Sequence, residues 1–144
     1  MIKPRWAKII ATIKAHTRAP VLFHSCGAVA EFIPDLLDTG VDILNPVQVS
    51  APGMDPAQLK RRFGKRLSFW GGGCDTQRVL PFGTPAEVRA EVQQRIAAFA
   101  PGGGFVFNPV HNIQAGVPPA NVAALFSEAL ASGRYPIQQH LNRP

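Results

Sequence analysis

The sequence predicts an α/β fold: four βα units behind a leading helix, which build either an open parallel sheet or half of a (β/α)8 TIM barrel. Three observations carry this. Helix-period segments alternate with short apolar runs along the chain, the order that builds a parallel sheet with right-handed crossovers. The apolar runs are continuous, as in strands buried on both faces. Polar and metal-capable residues gather where these runs end, whereas the runs begin at Pro20, Asp42, Leu67 and Gly104. Working residues of a barrel lie at the C-terminal strand ends, and a complete barrel takes about 250 residues. The 144 residues here suit half of one.

The elements follow in order. IKPRWAKIIATIKAH places Trp6, Ile9, Ile10 and Ile13 at helical spacing, with Pro4 near the start where proline is tolerated. APVLFHSCG reads as a buried strand. VAEFIPDLLDTG is a short helix closed by Gly40 as a left-handed cap. Pro34 either sits in its first turn or kinks it. VDILNPV is the second strand, running into the polar loop NPVQVSAPGMD. Asp55 as N-cap and Pro56 at N1 open the helix PAQLKRRFG. RLSFWGGG is the third strand. Thr84-Pro85-Ala86-Glu87 is a capping box. It opens PAEVRAEVQQRIAAFA, which carries Val88, Val92, Ile96 and Phe99 on one face and ends at PGGG. GFVFNPV is the fourth strand. After HNIQAGVPP, the helix ANVAALFSEALASG closes at Gly133. Residues 1–133 form the domain; the tail 134–144 has no period and is expected to fray. His16 and His140 are assigned to the surface.

Composition narrows the function classes. Hydrophobic residues make up 46% and charged residues 17%, which is not a disordered composition. No apolar run approaches the roughly 20 residues of a membrane helix. MIKPRWAKII has no long apolar core and no small-residue cleavage site, so a cytoplasmic location without membrane association is expected. Two cysteines are too few for a disulfide scaffold. The net charge of +6 and pI near 10 are compatible with nucleic acid. The densest basic cluster, KRRFGKR, reads instead as a helix end and turn, where cations favour the macrodipole. No nucleic-acid partner is expected; an anionic substrate or an acidic partner accounts for the charge equally well. There is no G-x-G-x-x-G after the first strand, so a dinucleotide site is not indicated.

The strand exits carry the candidate chemistry. The first offers His24 and Cys26, the second Asn45 and Gln48. The third offers Cys74, Asp75 and Gln77, and the fourth Asn108, His111, Asn112 and Gln114. Residues i and i+2 of a strand share a face, so His24 and Cys26 can share one ion. An imidazole with a thiolate suits zinc over magnesium. A catalytic zinc uses three protein ligands and keeps one position open. His111 and Cys74 are the candidates for the third. Each residue also has a plainer reading: Cys26 and Cys74 as small buried hydrophobes, His24 as a satisfied core histidine, His111 as a loop side chain bonding backbone.

HSCG at 24–27, VDILNPVQ at 41–48, FWGG with DTQ at 69–77, LPFGTPAEV at 80–88 and NPVHNIQAGVPPANV at 108–122 together resemble the uroporphyrinogen decarboxylase superfamily. The likeness is strongest to its cobalamin- and coenzyme M-methyltransferase-like members. It implies that these units are the C-terminal half of the barrel, strands five to eight. It also implies a zinc ion held by the His-x-Cys pair, here His24 and Cys26, and by a cysteine after the eighth strand. That last position falls on His111, a departure from the pattern. By this resemblance the activity is methyl transfer from a corrinoid co-substrate, free or protein-bound, to a thiol. Asp75 is the expected catalytic group, with Asn45, Gln48, Gln77 and Asn112 binding substrate. The alternatives are decarboxylation of a porphyrinogen, for which the family's key aspartate and arginine-rich segment belong to the other half, and a non-catalytic half-barrel remnant. Three situations are expected to account for the open edges: the chain is a fragment of a split or truncated gene, it pairs with a separate N-terminal half-barrel, or it forms a homodimer.

Overall fold

The computed structural model describes residues 2–137. Four short parallel strands form one sheet in the order β1-β2-β3-β4: β1 (Leu22–His24), β2 (Ile43–Asn45), β3 (Ser68–Trp70) and β4 (Phe105–Val106). Around it lie α1 (Ile2–His16), a 3-10 turn (Ala30–Phe32), α2 (Ile33–Thr39), α3 (Pro56–Phe63), the four-residue α4 (Val79–Phe82), α5 (Pro85–Phe99) and α6 (Pro119–Ser132). This is the partial TIM barrel that the alternating pattern predicts.

The helix signals act where the sequence places them. Pro34 occupies the first turn of α2, so no kink is needed, and Gly40 caps that helix at φ +97°. The Asp55 side chain accepts from Gln58 N at 2.8 Å. The Thr84 hydroxyl accepts from Glu87 N, and Glu87 Oε2 accepts from Thr84 N at 2.6 Å, a complete capping box. In α5 the expected face of Val88, Val92, Ile96 and Phe99 is buried. In α1 only Ile10 is fully buried, while Ile9 and Ile13 are exposed. Helix α1 stands at the edge of the sheet, where α2 covers one flank only.

The ladder is shorter than the apolar runs, yet its hydrogen bonds continue past the strands. Gly71 N donates to Val106 O, Gly73 N to Asn108 O and Val110 N to Cys74 O, each at 2.8–3.1 Å. The exit loops are thereby held in register. The glycines after β3 serve packing, not phosphate. A Cβ on Gly72 would lie 2.9 Å from Val47, and one on Gly73 would lie 2.4 Å from the Phe107 ring.

The register aligns Phe23, Leu44, Phe69 and Phe105 in one row. That row faces the helices and packs into the main core with Ile33, Val47, Leu59 and Phe99. Phe99 sits between Phe69 and Phe105, with ring centroids 5.2 and 5.1 Å away. A second cluster, built on Leu80, Val88, Val92 and Leu125, joins α4, α5 and α6. Residues on the opposite pleat remain uncovered: Leu22 is 44% exposed, Trp70 38% and Val106 40%. The continuous apolar runs predict burial on both faces, and this chain buries one.

The tail does not leave the domain at residue 133. Tyr135 Oη donates to Ala100 O at 2.7 Å, and Ile137 packs against the second cluster. His140 and residues 138–144 lie outside the described residues. His16 is exposed, as expected, with Nδ1 2.8 Å from Thr12 O. In the basic cluster, the Lys60 ammonium donates to Gly103 O and the Arg62 guanidinium stacks 4.8 Å from the Phe63 ring centroid. No helix among the described residues is long and apolar enough to cross a membrane.

Candidate functional site

His24 is the last residue of β1, and Cys26 follows on the exit loop; both side chains are exposed. The chain turns at Gly27 (φ +91°), whose N–H donates to Gln48 Oε1 at 2.7 Å. Gln48 thus ties the first exit loop to the second. His24 and Cys26 meet: Sγ lies 3.8 Å from Nε2.

A chain of hydrogen bonds fixes the imidazole. Asn45 Nδ2 donates to Trp70 O at 3.0 Å. A carbonyl only accepts, so this bond settles which way the amide points. Asn45 Oδ1 then faces His24 Nδ1 at 2.8 Å, and an amide oxygen also only accepts. The proton is therefore on Nδ1, and the Nε2 lone pair faces the Cys26 sulfur. Metal-ligating histidines are oriented in this way by the hydrogen bond their other nitrogen makes. The spacing fits as well. Zn–N near 2.05 Å and Zn–S near 2.3 Å at a tetrahedral angle put the donors about 3.6 Å apart.

The third donor is not assembled. Among the described residues no group of three His, Cys, Asp or Glu converges on one point. His111 does share a cleft of about 410 Å3 with Cys26, Gln48, Gln77 and Asn112; His24 is not part of its lining. His111 stands on the loop after β4, which is an edge strand among the described residues.

Cys74 belongs elsewhere, which removes it as the alternative ligand in this structure. It is fully buried in the second apolar cluster, and its Sγ donates to Glu91 Oε2 at 3.1 Å. Burial, reinforced by the Glu91 carboxylate, pushes its thiol far above the usual range. Such a thiol has little thiolate character and is inert.

Asp75 is also buried and turned to local structure. Its Oδ1 accepts from Gln77 N at 2.8 Å, its N–H donates to Glu91 Oε2 at 3.1 Å, and its carbonyl accepts from Leu80 N. It lines a separate cleft along α5, with Arg78 and Arg95, and not the cleft of Cys26. Gln77 lines both clefts and takes a bond from Ser50 Oγ at 3.2 Å. Asn45 is placed behind the imidazole instead of in the cleft. Sequence reasoning missed Glu91, the acceptor that gathers Cys74, Asp75 and, at 2.6 Å, Arg95. Its signal was a carboxylate between Val88 and Val92 on an otherwise apolar face, with Arg95 one turn on.

Comparison with known proteins agrees with this architecture. The chain is 30% identical over 120 residues to the uroporphyrinogen decarboxylase of Thioalkalivibrio sulfidiphilus, covering 81% of this chain and 31% of that protein. It is 33% identical over 104 residues to the uroporphyrinogen decarboxylase of Sodalis glossinidius, covering 72% and 27%. The chain thus spans about three-tenths of the curated relatives it matches. Among solved structures, a methyltransferase from Methanosarcina mazei superposes with a TM-score of 0.70 at 21% identity, over 93% of this chain and 36% of that one, a likeness of fold. The family model for uroporphyrinogen decarboxylase (URO-D) matches residues 1–131, and the chain belongs to that family.

Proposed function

We propose that this chain carries the ligand-bearing part of a zinc-dependent thiol methyltransferase site. The observation that supports the reading is the His24–Cys26 pair, with its Nε2 lone pair turned to sulfur by Asn45. His24 Nε2 and Cys26 Sγ would hold zinc, with His111 as the further donor from the loop after β4. Bound there, zinc lowers the pKa of a ligating thiol and so supplies a thiolate nucleophile near neutral pH. The chain's own residues do the rest. Asn45 holds the proton on His24 Nδ1, Gln48 fixes the backbone after Cys26, and Gln77 and Asn112 line the cleft where an acceptor thiol would lie. A corrinoid co-substrate would supply the methyl group to that thiolate sulfur, the cobalt–carbon electron pair remaining with the corrinoid and the thiol proton having been released on ligation. Buried Asp75 has a positioning role in this scheme: it shapes the loop that presents Gln77.

The uncovered pleat and the length of the relatives support a second part of the proposal. A complementary four-stranded half-barrel, in the same polypeptide or a separate one, covers Leu22, Trp70 and Val106 and completes the site. The test of function is zinc content after dialysis, followed by methylcobalamin loss with a small thiol. One zinc per chain that disappears in Cys26→Ser is expected. Absence of both zinc and methyl transfer refutes the reading; zinc without turnover even when the complementary half-barrel is supplied identifies a non-catalytic remnant. The names of the curated relatives favour one other reading, decarboxylation of a porphyrinogen. Decarboxylation by metal-free protein would establish it.

A further inference from the structure

Glu91 is a buried acidic side chain to which the proposed reaction gives no task; it is 8% exposed, on the inward face of α5. Burying such a group is costly unless its oxygens are bonded. Here both are: Oε1 accepts from Arg95 at 2.6 Å, and Oε2 accepts from Cys74 Sγ and from Asp75 N, each at 3.1 Å. The last of these bonds reaches the candidate site. The Asp75 N–H and the Cys74 carbonyl belong to one peptide unit, which is planar and trans, so the two groups point in opposite directions. Glu91 holds the N–H. On the other side the carbonyl accepts from Val110 N at 3.1 Å. Val110 is 5% exposed, and His111 follows it directly. The only other backbone tie between these two exit loops is Gly73 N to Asn108 O at 2.8 Å, three residues before His111. From His111 to Val117, the hydrogen bonds among the described residues stay within the loop itself.

We infer that Glu91 is a positioning residue for His111: it fixes the Cys74–Asp75 peptide plane, which holds Val110 and so sets where the next imidazole stands. A rigid plane cannot turn its carbonyl without turning its N–H, so the carboxylate that aims one aims the other. Bonding the N–H to a carboxylate also polarises the peptide and strengthens its carbonyl as an acceptor. The same turn places Gln77, whose N–H donates to Asp75 Oδ1 at 2.8 Å and whose side chain lines the cleft with His111. The inference rests on the reading of His111 as a zinc donor. The clamp itself lies wholly between α5 and the exit loops of β3 and β4, so it needs no complementary half-barrel to form.

Two variants separate positioning from general support. Glu91→Met has similar length and no acceptor for the Asp75 N–H; Cys74→Ala disturbs the same buried cluster but leaves that bond in place. Each is compared with wild type by amide hydrogen exchange and by zinc affinity from chelator competition. Glu91→Met is expected to speed exchange at Val110 about ten-fold, the worth of one bond of this kind. The Gly71 amide, bonded to Val106 O, is expected to keep its rate. Zinc affinity is expected to fall several-fold in Glu91→Met, with no further loss when the substitution is made in a His111→Ala background. Cys74→Ala is expected to leave Val110 exchange and zinc affinity at their wild-type values. Unchanged Val110 exchange in Glu91→Met overturns the inference. So does equal acceleration in Cys74→Ala, or a zinc loss that persists undiminished without the His111 imidazole. Protein that takes up no zinc sinks the methyltransferase reading, and exchange at Val110 then decides the clamp by itself. Should Glu91→Met fail to fold, the unaltered protein answers: couplings through the hydrogen bonds are expected from Val110 N to the Cys74 carbonyl carbon and from Asp75 N to the Glu91 carboxyl carbon. Absence of either coupling overturns the inference.

Discussion

Asn45→Ala is the sharpest perturbation of the candidate site, because it leaves every proposed metal ligand in place and removes only the group that orients one of them. The structure gives Asn45 two tasks: its Nδ2 bonds Trp70 O at 3.0 Å, and its Oδ1 holds His24 Nδ1 at 2.8 Å. Losing the second bond forfeits about 1 kcal/mol of neutral hydrogen bonding. It also frees the imidazole to rotate and to place its proton on Nε2, and reordering such a side chain on binding costs about 0.5–1.5 kcal/mol. Together these give about 2 kcal/mol, or about 30-fold weaker zinc, within the 10–100-fold range found when partners behind a ligand are removed. Competition with a chromophoric chelator measures the affinity. Imidazole 15N shifts report the tautomer directly: Nδ1–H in the wild type, a mixture in the variant. Asn45→Asp keeps an acceptor for Nδ1 and is expected to recover most of the affinity, with a lower Tm because a carboxylate then faces Trp70 O. A zinc affinity within two-fold of wild type in Asn45→Ala, or a wild-type His24 protonated on Nε2, refutes the argument that this bond orients the ligand.

A thiol reagent such as Ellman's is expected to label one cysteine of the native chain, Cys26, and the second only after unfolding; rapid reaction of both in the native state contradicts the burial of Cys74. His111→Ala is expected to weaken zinc several-fold and Cys74→Ala to leave it unchanged, and the opposite ranking in chelator competition returns the third ligand to the loop after β3. Asp42 links α1 to the start of β1. Burial opposes its ionisation, but Lys14 Nζ at 2.8 Å and Val21 N–H at 2.7 Å outweigh it and hold the carboxyl below its usual value. A depressed carboxylate contributes stability above its unfolded pKa, near 3.8, and that contribution is lost as pH falls through the folded value. In urea melts, Asp42→Asn is therefore expected to be less stable than wild type at pH 7 and closer to it at pH 3; a difference that is constant with pH removes Asp42 from the acid response.

The fold was legible because its signals are local. Pro34, Gly40, Asp55 and the Thr84–Glu87 box each act through backbone groups a few residues away, so no tertiary information is needed to place them. The His24–Cys26 meeting was legible for the same reason, since a two-residue separation at a strand exit leaves few geometries. Cys74 and Asp75 were not. Their surroundings are decided by Glu91, 17 and 16 residues downstream on a helix face that periodicity alone marks as apolar. His111 falls between these cases. The strand order brings it to the correct rim, but the inward reach of an edge-strand loop depends on what closes the sheet, and that lies beyond the strands of this chain.

Closure of the sheet is also where the choice between a second copy and a different complement is decided. In a complete barrel one outer helix accompanies each strand. Here four strands carry five long or medium helices, α1, α2, α3, α5 and α6, because α1 already flanks β1 and α6 follows β4. The Trp6 and Phe23 rings, 4.7 Å apart, show how closely α1 is fastened to that edge. Two copies joined edge to edge would bring ten helices to eight places, with α6 of one and α1 of its partner competing at each seam. A complement of four strands with only three intervening helices meets no such conflict. It also covers the row that the register places on the free pleat, His24, Asn45, Trp70 and Val106. The chain alone is therefore expected to show no barrel-closing dimer. Light scattering across a concentration series reads the mass against 15.5 kDa, and acrylamide quenching of Trp70 in a Trp6→Phe background reads the open face. A stable species of twice that mass, with Trp70 shielded from the quencher, would show that two copies do share a seam and would defeat the counting argument.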